Sequence, residues 1–218
     1  RLSPNAFPIQ LPIGFEKDIC GFVDLVQMKA YKYKDFTDKE FTVEEVPADL
    51  KTKAEEFRHK LLERVVESDD KLMEKYLEGK EITNGEFLMA IRKATQSGNF
   101  YPVLGGDGRG IIVQSMLDAV VNFLPSPIQR GAAQGTNPDT QEQVIRKPSD
   151  DEPFSALAFK IATDPFVGRL AFFRVYSGKL ETGSYIYNSR SGNRERVGRM
   201  VRMHANDREE IEEINAGD

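Results

Sequence analysis

The sequence is poor in the residues that build disulfides and metal sites. It has one cysteine, Cys20, and two histidines, His59 and His204, in 218 residues. A single cysteine cannot form an internal disulfide and is typical of a chain in a reducing compartment. Neither histidine has a cysteine or a second histidine near it in the sequence, so neither indicates a zinc site. We therefore expect no metal site in this chain and a cytoplasmic location.

Long apolar runs and an excess of positive charge are also missing. No stretch is long enough to span a bilayer, and the first residues lack the charged region and apolar core of a signal peptide. The net charge is −5, so the chain as a whole is not a polycation suited to nucleic acid. Its composition is that of a globular protein, with 39% hydrophobic and 30% charged residues. We expect no membrane partner and a monomer.

The first part of the chain mixes strand and helix patterns. Apolar alternation predicts a strand over 8–14 and a small β element over 19–46. From position 48 the apolar spacing changes to three and four residues, which is typical of amphipathic helices. A capping box, Thr83 followed three residues later by Glu86, marks the start of one of them. The helices predicted in this part cover residues 48–65, 72–77 and 83–98.

A strand, a glycine-rich loop and a helix follow in that order. The strand is predicted over 100–104, the loop over 105–110 and the helix over 113–124, which Pro125 ends. Such a unit favours an α/β fold, in which the helix packs on a mostly parallel sheet. The loop either forms a tight turn or brings backbone N–H groups close to an anion or a base. Its spacing does not match a P-loop, because no Lys-Ser or Lys-Thr pair follows.

The second part of the chain has the pattern of an all-β domain. Residues 125–153 are rich in Pro, Gly, Gln and Asp, which predicts a linker. From position 154 to 218, short apolar runs between turn signals predict strands over 154–161, 170–176, 183–188 and 195–203. The acidic run over 209–213 is predicted to be an exposed turn. The fold class is thus α/β followed by β.

Five arginines cluster late in the second part. They are Arg190, Arg194, Arg196, Arg199 and Arg202. Three of them, Arg190, Arg194 and Arg196, lie on a predicted hairpin that turns around residues 191–193. Local basic charge of this kind suits phosphate contacts. A solvated hairpin without a partner would show the same charges, so both interpretations stay open.

A series of stretches, in this order, resembles translation elongation factor G. They are PIQLPIG (8–14), GFVDLV (21–26), LMEKYLEG (72–79), IRKAT (91–95), LDAVVNFLPSP (117–127), DDEPFSALAFKIATDPFVGRL (150–170) and REEIEEINAGD (208–218). The resemblance covers nearly the whole chain. It implies that 1–124 is the C-terminal part of a P-loop GTPase domain, with an α+β insert, the G′ subdomain, over about 15–98. It further implies a linker over 125–153 and a partial domain II β-barrel over 154–218.

The resemblance also implies partners and a nucleotide. The intact factor would use GTP, with GDP as product and Mg²⁺ bound, to drive tRNA and mRNA through the ribosome. Domain II would contact small-subunit ribosomal RNA, and Arg190, Arg194 and Arg196 are our candidates for that contact. The insert would contact the ribosomal stalk protein. Gly106, Asp107 and Gly108 match the loop that holds guanine, with Asp107 in place of the family's serine, where its carboxylate would repel the guanine carbonyl.

The motifs for phosphoryl transfer are not found. No P-loop GxxxxGK[ST] and no NKxD occurs in the 218 residues. The letters DxxG can be matched at 18–21 and 107–110, but neither match follows a P-loop, so we assign no magnesium site to them. GTP hydrolysis requires a phosphate-binding loop, a lysine and a magnesium ligand, and we identify none of these in the sequence. We therefore name no catalytic residue and expect the chain alone neither to hydrolyse GTP nor to need a cofactor.

Two alternatives remain open from the sequence. The first is a sister translational GTPase, such as release factor 3 or a ribosomal protection protein, against which the insert argues. The second is a ribosome-binding module that is not an enzyme.

Overall fold

The computed structural model describes residues 3–34, 40–105, 110, 113–164, 168–205 and 207–218. The chain divides into two compact units, 1–124 and 125–218, and each is described by itself. Together they make a mixed α/β fold with many antiparallel strands.

The first unit contains the main helices. These are α1 (Ala48–Val66), α2 (Asp70–Leu77), α3 (Asn84–Gln96) and α4 (Val113–Phe123). Its strands are β1 (Ala6–Pro8), β2 (Gln10–Ile13), β3 (Gly21–Asp24), β4 (Lys29–Tyr33), β5 (Phe41–Glu45) and β6 (Tyr101–Val103). The predicted strand over 8–14 is thus two strands, which pair with different partners.

Strands β2 to β5 form one antiparallel sheet in chain order, which confirms the small β element. The Asp24 side chain fixes the turn between β3 and β4, because its Oδ1 accepts the N–H groups of Val26 and Gln27 at 2.7 and 2.8 Å. Gly21 in β3 lies so close to β4 that an added Cβ would be 2.0 Å from the Tyr31 carbonyl oxygen. Only glycine therefore fits at this position.

The core of the first unit lies where α1 and α3 pack together with the sheet. The apolar residues at helical spacing on α1 and α3 are buried: Ala54, Leu61, Val65, Phe87, Ile91 and Ala94. Arg58 of α1 spans several elements, since it donates to the carbonyl groups of Leu25 and Val26 and lies 5.1 Å from the Phe87 ring centroid. The predicted capping box is present at the start of α3, where the Glu86 N–H donates to Thr83 Oγ1 at 3.3 Å.

The predicted parallel sheet is narrow. Among the described residues, β1 and β6 form the one parallel pair, and α4 packs against α3 rather than on a broad sheet. Ala119 and Phe123 of α4 are buried, but four of its other apolar side chains are exposed: Met116, Leu117, Val120 and Val121. The expectation that α4 packs on a mostly parallel sheet is therefore not met, because two short strands cannot cover its apolar face.

The second unit is built from antiparallel strand pairs. Its strands are β7 (Ala133–Thr136), β8 (Gln143–Arg146), β9 (Ser155–Asp164), β10 (Gly168–Ser177), β11 (Leu180–Glu181), β12 (Tyr185–Asn188), β13 (Asn193–Arg196), β14 (Met200–His204), β15 (Asp207–Ile211) and β16 (Glu213–Ile214). The pairs are β7 with β8, β9 with β10, β11 with β16, β12 with β13 and β14 with β15. Buried side chains include Val175, Ser177, Leu180 and Met200.

The range predicted to be a linker contains regular structure. It holds the short helix α5 (Pro127–Arg130) and the hairpin β7–β8. Asn137 Oδ1 accepts the N–H groups of Asp139 and Thr140 at 2.9 and 3.3 Å and so shapes the hairpin turn. Both strands are short, and the apolar residues of β8, Val144 and Ile145, are adjacent rather than alternating, so the sequence carries no alternation that predicts a strand.

Two further strand predictions need correction. The strand expected over 195–203 is two strands, β13 and β14, because the ladder stops at residues 197–199, which include Gly198. The acidic run expected to be a turn over 209–213 lies mostly in β15, which pairs with β14. Its glutamates are nonetheless exposed, as expected.

Candidate functional site

The hairpin β12–β13 places aromatic and basic side chains on the same face. Its register pairs Tyr185 with Arg196, Ile186 with Glu195, Tyr187 with Arg194 and Asn188 with Asn193. In an antiparallel pair, residues directly opposite each other lie on one side of the sheet, and successive residues alternate sides. One face therefore carries the tyrosines and arginines. We call these four residues, Tyr185, Tyr187, Arg194 and Arg196, the Tyr/Arg face.

Asn188 fixes the turn of this hairpin. Its Oδ1 accepts the N–H groups of Arg190 and Ser191 at 3.0 and 3.3 Å. Its backbone carbonyl accepts the Gly192 N–H at 2.8 Å, and Gly192 has a φ of 71°, a value that favours glycine. Arg190 thus lies in the turn, whereas Arg194 and Arg196 lie on the strand.

The three arginines of the hairpin have no carboxylate partner among the described residues. Within the part of the chain that the structure describes, Arg190, Arg194 and Arg196 form no ion pair, and all three are exposed. The guanidinium of Arg194 lies 5.3 Å from the Tyr185 ring centroid, a cation–π contact that orients it. Glu195 is on the opposite face, where it accepts the Asn188 side-chain N–H at 2.7 Å. The Tyr/Arg face is therefore cationic.

The other two arginines of the cluster differ. Arg199 lies 3.5 Å from a Glu210 carboxylate oxygen, and Arg202 lies 4.0 Å from Asp218. Within the described ranges, three of the five arginines thus have no carboxylate partner and two have one.

A second candidate surface is a groove between α2 and α3, with a cavity of about 630 Å³. Lys75 donates to both carboxylate oxygens of Glu86 at 2.8 Å, and Lys93 lies 2.9 Å from Asp69. The Lys75 hydrogen bond and those from Thr83 lower the pKa of Glu86 to about 2. Met89, 66% exposed, also lines the groove. This surface combines fixed charges with an apolar side chain and lies in the range that resembles the G′ insert.

The remaining candidates from the sequence are the guanine loop and the two histidines. Gly106, Asp107 and Gly108, the candidate guanine loop, lie outside the described residues, and their role stays a prediction. His59 pairs with Glu63 at 3.5 Å, and His204, at the end of β14, pairs with Glu209 at 3.4 Å. No group of three or more potential metal ligands occurs among the described residues. In the same part of the chain, no helix has the length and apolar character needed to cross a membrane.

Sequence reasoning found the arginines but missed the tyrosines beside them. The signal was present, since Tyr-Ile-Tyr and Arg-Glu-Arg flank one turn with matched alternation. Only the pairing register of β12 and β13 shows that the tyrosines and the arginines lie on the same face of the hairpin.

Two comparisons with known proteins agree with the resemblance. The family model "Elongation factor G domain 2" matches residues 153–218. The crystal structure of a protein from Thermus thermophilus is similar over 98% of this chain, with a TM-score of 0.70 and 32% sequence identity. The chain spans 29% of the length of that protein. Residues 153–218 therefore form an elongation factor G domain 2, and the similarity along the whole chain supports the same family for the residues before it.

Proposed function

We propose that this chain works as part of a translation elongation factor, a ribosomal translocase that couples GTP hydrolysis to movement of tRNA and mRNA. The observation that carries the proposal is the match of residues 153–218 to elongation factor G domain 2. The unit before it contains both helices and an antiparallel sheet, which supports the α+β insert that the resemblance implies. The domain 2 match favours elongation factor G over release factor 3 or a ribosomal protection protein.

The proposed factor would use GTP and Mg²⁺, and the one stretch of this chain that we propose for nucleotide contact is the loop at 106–108. The described residues hold no cluster of metal ligands, and the sequence has no P-loop lysine. We therefore derive no step of GTP hydrolysis from this chain. What the chain contributes, in our proposal, is binding to the ribosome in the cytoplasm.

The Tyr/Arg hairpin is the proposed contact with small-subunit ribosomal RNA. Its three exposed arginines have no carboxylate partner among the described residues, so phosphate binding breaks no existing ion pair. The groove between α2 and α3 is the proposed contact with the stalk protein. There Met89 offers apolar surface beside the lysines of α2 and α3.

The RNA contact is tested by sedimentation of the purified chain with small ribosomal subunits over a range of salt concentrations. We expect binding that weakens with salt. The R194A/R196A variant should reduce the slope of log K against log salt by about 1 for each phosphate that it no longer binds. The matched control is R199A/R202A, because these arginines already face carboxylates. Equal effects of the two double variants would refute the assignment.

Nucleotide binding is tested separately with a fluorescent GTP analogue. We expect no saturable binding to this chain, because it lacks the P-loop. Micromolar affinity would overturn that expectation and give the loop at 106–108 a nucleotide role.

A further inference from the structure

Both tyrosines of the Tyr/Arg face have about half or more of their surface exposed to solvent. Tyr185 is 59% and Tyr187 is 49% exposed. They are two residues apart on one strand, so their positions are about 6.6 Å apart along it. Aromatic side chains usually contribute to stability by burial, and these two leave much of their surface in water. Their placement therefore favours a role in binding.

The charges around the rings indicate a polyanion. Arg196 is directly opposite Tyr185, and Arg194 is directly opposite Tyr187. The carboxylate of Glu195 is on the other face, bonded to Asn188. Arg190 adds a third positive charge from the turn. A ligand on this face meets two rings and two guanidinium groups, with Arg190 in the adjacent turn.

The combination of rings and guanidinium groups favours unpaired bases. Proteins that bind single strands stack bases on aromatic rings or guanidinium planes and hold the phosphates with basic groups. A duplex hides its base faces and would use the arginines alone. An acidic peptide would also pair with the arginines and leave the rings unused.

We propose that the Tyr/Arg face binds single-stranded RNA, with Tyr185 and Tyr187 stacking on unpaired bases while Arg194 and Arg196 hold the flanking phosphates. The cation–π contact keeps the Arg194 guanidinium near the Tyr185 ring, 5.3 Å from its centroid. Base and phosphate contacts are therefore arranged side by side before the ligand arrives. This inference rests on the proposed ribosomal role and specifies what the hairpin recognises.

The test measures fluorescence anisotropy of a short labelled oligouridylate, and of an RNA duplex of equal length, with the full chain. We expect Y185A/Y187A to weaken binding of the single strand tenfold or more, from base stacking of about 1–3 kcal/mol per base. Y185F/Y187F should bind within about threefold of the wild type, because a phenyl ring still stacks. Duplex binding should be nearly unchanged in both tyrosine variants and fall in R194A/R196A. Tyr101→Ala, which removes an exposed tyrosine of the first unit, is the control.

Several results would overturn the inference. One is a Y185A/Y187A variant that binds the single strand as well as Tyr101→Ala does. Another is an equal loss for the duplex, since that would show a structural effect. A third is binding of polyglutamate as tight as that of RNA. If R194A/R196A impairs binding to the small subunit while the tyrosine variants do not, stacking is wrong and the proposed function stands.

Discussion

Phe87 gives a sharp test of how the first unit is held together. The side chain is fully buried on α3, and the Arg58 guanidinium of α1 lies 5.1 Å from its ring centroid. Replacement by alanine removes the ring from the core and leaves the guanidinium without its aromatic neighbour. The same helix carries Met89, which is 66% exposed and provides a control.

The cost of Phe87→Ala has three parts. Reduced burial of a large apolar side chain lowers the free energy of unfolding by about 1.5–3 kcal/mol. A residual cavity of roughly 50 Å³ would add about 1.2 kcal/mol at about 24 cal/mol per Å³. Removal of the cation–π interaction adds about 0.5 kcal/mol at a partly exposed site. We expect a loss of about 4 kcal/mol in the free energy of unfolding, within the range of about 3–5 kcal/mol for such substitutions.

The assay is urea unfolding followed by far-ultraviolet circular dichroism. Helices α1 to α4 all lie in the first unit, so the helical signal reports mainly on that unit. Met89→Ala should change the free energy of unfolding by at most about 0.5 kcal/mol, as is usual for exposed positions. A loss below about 1 kcal/mol for Phe87→Ala, or a loss equal to that of the control, would refute the described packing.

Three further predictions concern single positions. Gly21→Ala should destabilise the first unit, because its Cβ would lie 2.0 Å from a backbone oxygen. Gly85→Ala places its Cβ where no atom lies within 4 Å, so it should be neutral or stabilise by up to about 1 kcal/mol. Urea unfolding measures both. Ser177→Ala should cost the second unit about 1–3 kcal/mol, since the buried hydroxyl donates to the Pro153 carbonyl at 2.7 Å; hydrogen exchange of β9 and β10 would measure it. Glu86→Gln should be less stable than the wild type at neutral pH. That difference should shrink as the pH falls from about 4.5 through about 2, because the folded pKa is depressed from 4.5 to about 2.

Each of these has a contrary outcome. Equal effects of the two glycine substitutions would contradict the close approach of β3 and β4. Unchanged exchange in Ser177→Ala would mean that the hydroxyl is not bonded as described. A difference between Glu86→Gln and the wild type that grows as the pH falls would reverse the expected sign.

Much of the first unit could be predicted from local patterns. The helical spacing over 48–65 and the capping box at Thr83 are local signals, and the structure has both. The narrow parallel pair β1–β6 could not be predicted, because its two strands are more than 90 positions apart and pairing across that separation leaves no periodic trace. The hairpin β7–β8 could not be predicted, because its strands have four residues each and the two apolar residues of β8, Val144 and Ile145, do not alternate with polar ones.

The candidate site was predictable only in part. The arginines stand out by composition, but their division into free and paired groups depends on Glu210 and Asp218. Those carboxylates reach Arg199 and Arg202 through strand pairing and chain folding, which the arginine spacing does not reveal. The alignment of Tyr185 and Tyr187 with Arg194 and Arg196 likewise follows from the register of β12 and β13.

The turn that Asn188 stabilises therefore decides whether the face of the hairpin that carries the tyrosines is positively or negatively charged. Because side chains alternate along a strand, one residue inserted between Gly192 and Arg194 would turn Glu195 toward the tyrosines and the two strand arginines away from them. The same amino acids would then present a carboxylate where the chain now presents two guanidinium groups. The length of the short connection between β12 and β13, rather than the number of arginines, sets what this hairpin can attract.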